Sequence, residues 1–75
     1  MVLSDLEPSQ IGEIISFNGS NGFQIRLAEM GFRSQQKIRM ISKMAFNGPV
    51  QVQIRNSIIS LRYDDALQIR IELDG

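Results

Sequence analysis

Side chains able to do covalent chemistry are scarce in this sequence. It contains no histidine and no cysteine, so neither a Ser–His nor a Cys–His nucleophile–base pair can be assembled. The imidazole and thiolate ligands that hold Zn²⁺ or Fe²⁺ tightly are missing as well. The weak candidates for a metal are Asp64 and Asp65, two adjacent carboxylates suited to a hard cation. No glycine-rich calcium loop surrounds them, and either one can cap a helical turn around Ala66 and Leu67. The expectation is a chain that is not an enzyme and holds no cofactor of its own.

Two further patterns admit a binding reading. Gly19-Ser20-Asn21-Gly22 precedes a helical stretch, but it lacks the Lys-Ser/Thr of a phosphate-binding loop and reads as a connection. Arg26, Arg33, Lys37, Arg39 and Lys43 cluster in sequence and could meet phosphates, with Phe23 or Phe32 stacking on bases. Eight basic residues balance eight acidic ones, so no long-range field favours nucleic acid, and local ion pairs such as Arg26 with Glu29 account for the cluster. What remains is apolar. Met44, Phe46 and Pro49 gather at an expected hairpin tip, where a core cannot reach. Together with Arg26, Met30 and Phe32 near the helix end, they are the candidate partner-binding residues.

The elements that must carry these residues are short strands with period-two patterning, punctuated by turns. Residues 11–17 alternate, with Ile11, Ile15 and Phe17 on one face and Gly12, Ile14 and Ser16 on the other, and five turn-formers follow at 18–22. Phe23, Leu27 and Met30 recur at helical spacing, and Gly31 supplies a left-handed stop that lets Phe32 fold back on Leu27. Over 37–44, Ile38, Met40 and Met44 share a face. Asn47-Gly48 predicts a two-residue hairpin turn with positive φ at both positions. Residues 50–55 alternate strictly, with Val50, Val52 and Ile54 inward. Asn56-Ser57 predicts a turn into 58–62, and residues 69–73 alternate again. With 75 residues, the expectation is a single domain over 1–75. It is mainly β: a small SH3-like barrel of about five antiparallel strands with one or two short helices. No stretch approaches the roughly 20 apolar residues that cross a bilayer, and the N-terminus lacks the pattern of a secretory signal.

Taken in order, these residues resemble the FeoA family. Arg26-Leu27-Ala28-Glu29-Met30-Gly31-Phe32 is similar to the family's helix and glycine stop. Leu3-Ser4-Asp5-Leu6 with Gly12-Glu13-Ile14 resembles its opening, and Asn47-Gly48-Pro49-Val50 its hairpin. Ile59-Ser60-Leu61-Arg62, Ala66 and Ile69 resemble its closing segment. Two Pro-Gly turns usual in the family read Pro8-Ser9 and Ser34-Gln35 here, and Asn56 stands where a turn glycine is common. The resemblance implies a cytoplasmic accessory of ferrous-iron transport, acting by protein–protein contact with the membrane permease and GTPase FeoB. Its link to Fe²⁺ is then indirect, through the partner, without insertion into the membrane and without nucleic acid. Homo-oligomerisation stays open. The alternatives are an iron-repressor-type sensor module with weak transition-metal binding, or a small nucleic-acid-binding barrel.

Overall fold

Alternation in the sequence becomes pairing in the fold. The computed structural model describes residues 1–74. It has β1 (Ile11–Phe17), α1 (Asn21–Glu29), β2 (Lys37–Lys43), β3 (Val50–Ile54), β4 (Ser57–Leu61), α2 (Tyr63–Ala66) and β5 (Ile69–Leu73), preceded by a 3₁₀ turn at Leu3–Asp5. All pairings are antiparallel and the strand order is β4-β3-β2-β1-β5. The architecture is the expected one: mainly β, five antiparallel strands in one strongly curved sheet and two short helices.

The inward residues form one cluster. Leu3, Leu6, Ile14, Phe23, Leu27, Phe32, Ile38, Met40, Val50, Val52, Ile54, Leu61, Ala66, Ile69 and Ile71 are all buried. On β3 the alternation is kept without exception, Val50, Val52 and Ile54 facing the core. Gly12 lets β1 and β5 approach closely. A Cβ there would collide with Cγ2 of Ile71 and come within 3.2 Å of the Glu72 carbonyl.

Helix α1 begins and ends by local chemistry. Ser20 is the N-cap, its hydroxyl accepting from the Phe23 N–H at 3.2 Å, which satisfies one of the helix's free donors. At the other end Gly31 has φ of 103°. Its N–H donates to Ala28 O at 3.1 Å, and the Phe32 N–H donates to Leu27 O at 3.0 Å. That bond pair is the Schellman stop, and it delivers Phe32 into the core. Met30, expected beside Phe23 and Leu27, is instead the C-cap and is 38% exposed.

Two bulges revise the faces read from the sequence. Between Ile14 and Ser16 the β1–β5 register slips by one, leaving Ile15 unopposed and largely exposed. Between Met40 and Ser42 the β2–β3 register slips likewise. An extra residue inverts side-chain parity beyond it, so Met44 does not share the core face of Ile38 and Met40. It leaves the strand and is 63% exposed.

The two outer strands differ. The edge of β5 is partly covered by the N-terminus: Val2 bridges Arg70, and the Ile71 N–H donates to Met1 O at 2.8 Å. Among the described residues β4 pairs only with β3.

Candidate functional site

β2 and β3 meet in a hairpin whose tip carries the apolar candidates. The tip is built from Ala45, Phe46, Asn47 and Gly48. Phe46 and Asn47 have φ of 58° and 57°, and the Gly48 N–H donates to Ala45 O at 3.2 Å, which makes a type I′ turn. The Asn47-Gly48 pair was expected at the two central positions, so the turn sits one residue earlier than the sequence pattern indicates. Proline explains the shift. With Asn47 and Gly48 central, the closing donor would be the N–H of residue 49, and Pro49 has none. Moving the turn back gives that role to Gly48, while Pro49 O accepts from the Met44 N–H at 3.2 Å. Gly48 is therefore needed for space: a Cβ there would lie 2.7 Å from Cβ of Met44.

This turn puts a phenylalanine in the left-handed region, where side chains bearing a Cβ are disfavoured by roughly 1–2 kcal/mol. The ring obtains nothing from the fold in return, since Phe46 is 102% exposed. Met44 and Pro49 flank it, both exposed. Beside the tip, Asn47 and Pro49 share a shallow depression with Arg62, Tyr63 and Asp64.

The helix candidates lie elsewhere. Met30 lines a cavity with Ile54 and Ser57, at the opposite end of β3 from the tip, and a strand of this length spans roughly 13 Å at ~3.3 Å per residue. Arg26 is engaged within the fold: its guanidinium lies 3.7 Å from Asp65 and 5.6 Å from the centre of the Phe23 ring. Asp65, not Glu29, is its acidic partner. Phe32 is 1% exposed and belongs to the core, so it has no surface to offer a partner. The structure thus groups Met44, Phe46 and Pro49, separates Met30 from them, pairs the exposed Arg26 with Asp65, and buries Phe32.

The acidic pair does not act as expected. Arg62 is the N-cap of α2 and no side chain caps it; Asp64 and Asp65 fall in the first helical turn, where negative charge complements the helix dipole. Asp65 is drawn toward Arg26. Among the described residues no three acidic side chains converge on one point.

The fold divides the basic cluster: Arg26 and Lys43 lie apart, while Arg33 and Lys37 share one surface depression with Arg55, and Lys37 and Arg39 share another with it. Lys43 pairs with Glu7 at 3.7 Å, and Lys37 with Asp74 at 2.9 Å and Glu13 at 3.7 Å. The Asp74 hydrogen bond, opposed by some desolvation, raises the Lys37 pKa above its ordinary value. Three turns also differ from their sequence reading. Ser9 and Gln35, in the two turns that lack the usual glycine, have φ of 71° and 67°; in the β3–β4 turn it is Arg55, not Asn56, that has positive φ, 55°. Nothing in the local composition marks Arg55 for that conformation.

Comparison with known proteins agrees with the geometry. A FeoA domain model matches residues 1–73. A fusion of Fe(2+) transport protein A with the Fe(2+) transporter FeoB, from Porphyromonas gingivalis, is 33% identical over 73 residues, which are 97% of this chain and 9% of the fusion protein. Iron(II) transport protein A of Clostridium thermocellum has a TM-score of 0.92 and 29% identity, covering 100% of this chain and 46% of that one. FeoA of Stenotrophomonas maltophilia, solved with zinc and described as a prokaryotic SH3 domain protein, has a TM-score of 0.81 and 25% identity over 96% and 89% of the two chains.

Proposed function

Because the chain belongs to the FeoA family, we propose that it is a cytoplasmic accessory of ferrous-iron transport that docks through its β2–β3 hairpin tip on a FeoB-like membrane permease. The observation that carries this reading is Phe46. An aromatic side chain held in a disfavoured backbone conformation, wholly in solvent, costs stability and contributes nothing to the core. Outliers of this kind concentrate where a surface meets another molecule. The fused relative supports the choice of partner, since there the same domain is covalently joined to the transporter.

The chemistry is recognition, not catalysis. With neither histidine nor cysteine in the sequence, the chain offers shape and apolar surface. Fe²⁺ is the permease's cargo, and the chain needs no tight iron site of its own. No helix among the described residues is long and apolar enough to cross a membrane. Burying one phenylalanine removes on the order of 150–250 Å² from water, enough for an anchoring residue worth roughly 2 kcal/mol or more. Phe46→Asp should therefore weaken capture of the cytoplasmic part of FeoB from the same genome by about 30-fold. If the variant remains folded and binds as the parent does, the tip is not the docking surface.

A further inference from the structure

We propose that the free edge of β4 is a second binding surface, taking an extended acidic polypeptide segment that adds as a sixth strand. It lies apart from the Phe46 apex and stands independently of docking there.

An exposed strand edge offers unpaired N–H and C=O groups to any extended chain, and proteins ordinarily blunt it. Here the rest of the sheet is so treated. Bulges interrupt β1–β5 and β2–β3, and Val2 covers part of β5. β4 has neither device. Its residues Ser57-Ile58-Ile59-Ser60-Leu61 contain no charge and no proline, and they pair with β3 in uninterrupted register from Ile54↔Ser57 to Val50↔Leu61. A two-residue turn makes Ile54 and Ser57 a hydrogen-bonded pair, so the alternation of the ladder points the N–H and C=O of Ile58 and Ser60 away from β3. Ile58 is 62% exposed and Ser60 is exposed too.

Charge and shape at one end of this edge select the occupant. A cavity of about 160 Å³ opens beside β4, lined by Met30, Arg33, Gln36, Arg55, Ser57 and Ile59 among others. Among the described residues no acidic side chain lines it. Arg33 and Arg55 make no ion pair among the described residues, nor does Arg62 beyond the other end of the strand. The side-chain oxygen of Gln36 is buried there without a hydrogen-bond partner, a state that costs free energy until a donor arrives. An added strand would supply backbone donors and acceptors to Ile58 and Ser60, an apolar side chain over Met30 and Ile59, and carboxylates to the arginines. Alternate side chains of such a strand fall on alternate faces, so backbone pairing holds it and the pocket selects its sequence. A second copy of this chain fits poorly. Antiparallel self-pairing centred on Ile59 sets Arg62 opposite Asn56 and Arg55 opposite Tyr63 at both ends, so the second copy's strand brings no carboxylate to either arginine.

The test uses the 75-residue chain and a synthetic ten-residue peptide alternating glutamate and valine, followed by amide NMR at low salt. We expect protection and shifts centred on the Ile58 and Ser60 amides. Affinity should fall about tenfold or more for a lysine–valine peptide, for the glutamate–valine peptide N-methylated on alternate residues, and for the Arg33→Glu/Arg55→Glu variant. Ile58→Pro removes one outward donor while leaving the β3 ladder its bonds; the N-methylated peptide asks the same question should that variant not fold. Equal binding of the N-methylated peptide overturns the strand-addition geometry. Absence of shifts up to millimolar peptide, equal affinity for an oligouridylate at the same amides, or self-association of the chain through Ile58 and Ser60 overturns the proposal.

Discussion

Phe46→Gly should strengthen the fold while abolishing the docking attributed to the hairpin tip. With φ at 58°, any residue bearing a Cβ is disfavoured there by roughly 1–2 kcal/mol, and glycine removes that penalty. Glycine also loses more backbone freedom on folding, roughly 0.5–1 kcal/mol. The ring is 102% exposed, so its deletion forfeits no burial. The two ranges leave a gain between about 0 and about 1.5 kcal/mol, with about 0.5 kcal/mol as a conservative working value. For a domain of this size ~1 kcal/mol moves Tm by about 4–8 °C, so an increase of about 2–4 °C is expected. Phe46→Ala keeps the Cβ and should stay within about 0.5 kcal/mol of the parent. Thermal unfolding followed by circular dichroism reads both, and urea titration with an unchanged m-value confirms that the native state has not loosened. A Tm that falls by several degrees in Phe46→Gly would mean that the ring supports the fold. Retained FeoB binding in the stabilised variant would mean that it serves no partner. Either result refutes the reasoning from strain to function.

The same steric logic applies to Ser9 and Gln35, whose φ values are 71° and 67°. Ser9→Gly and Gln35→Gly should each raise the urea midpoint by the equivalent of up to about 1 kcal/mol, because the backbone bonds Ser9 N–H to Met40 O and Gln35 N–H to Ile14 O are kept. Gly12→Ala should act oppositely, costing about 1–3 kcal/mol through its clash with Ile71; an unchanged Tm would show that β1 and β5 can separate freely. The raised pKa of Lys37 means that its pairing with Asp74 and Glu13 stabilises the fold fully below the ordinary lysine value of 10.5 and is lost as pH climbs through the raised one. The stability difference between parent and Lys37→Met should therefore stay level up to about pH 10 and shrink as pH rises past the ordinary lysine value of 10.5, measured as urea midpoints; a difference that grows would reverse the sign. Finally, titration calorimetry with Mn²⁺ or Fe²⁺ should show no saturable heat, since Asp65 is already held by Arg26; binding abolished by Asp64→Asn and Asp65→Asn would restore the acidic pair as a metal site.

Which parts of this were legible beforehand follows from the range of the forces involved. The α1 stop, the β3 face and the span of β5 each depend on residues five or fewer apart. Gly31 alone can take the backbone that ends the helix, and Val50, Val52 and Ile54 alternate whether or not a partner strand is present. From the same local rules, the absence of histidine and cysteine excluded the usual nucleophile–base pairs. One error was local, the hairpin turn displaced by the neighbouring Pro49; others arose where a distant segment intervened. Each bulge reflects two strands settling their register against one another, and one inserted residue exposes Met44 or Ile15 without any change in its own neighbourhood. Arg26 meets Asp65 because α1 and α2 come together. The unprotected edge of β4 exists only because β4 is last in the sheet. Composition and periodicity therefore determined most of the elements and which nucleophile–base pairs cannot be built. Tertiary pairing decided which apolar side chains face solvent, because strand register and edge position are properties of two segments at once.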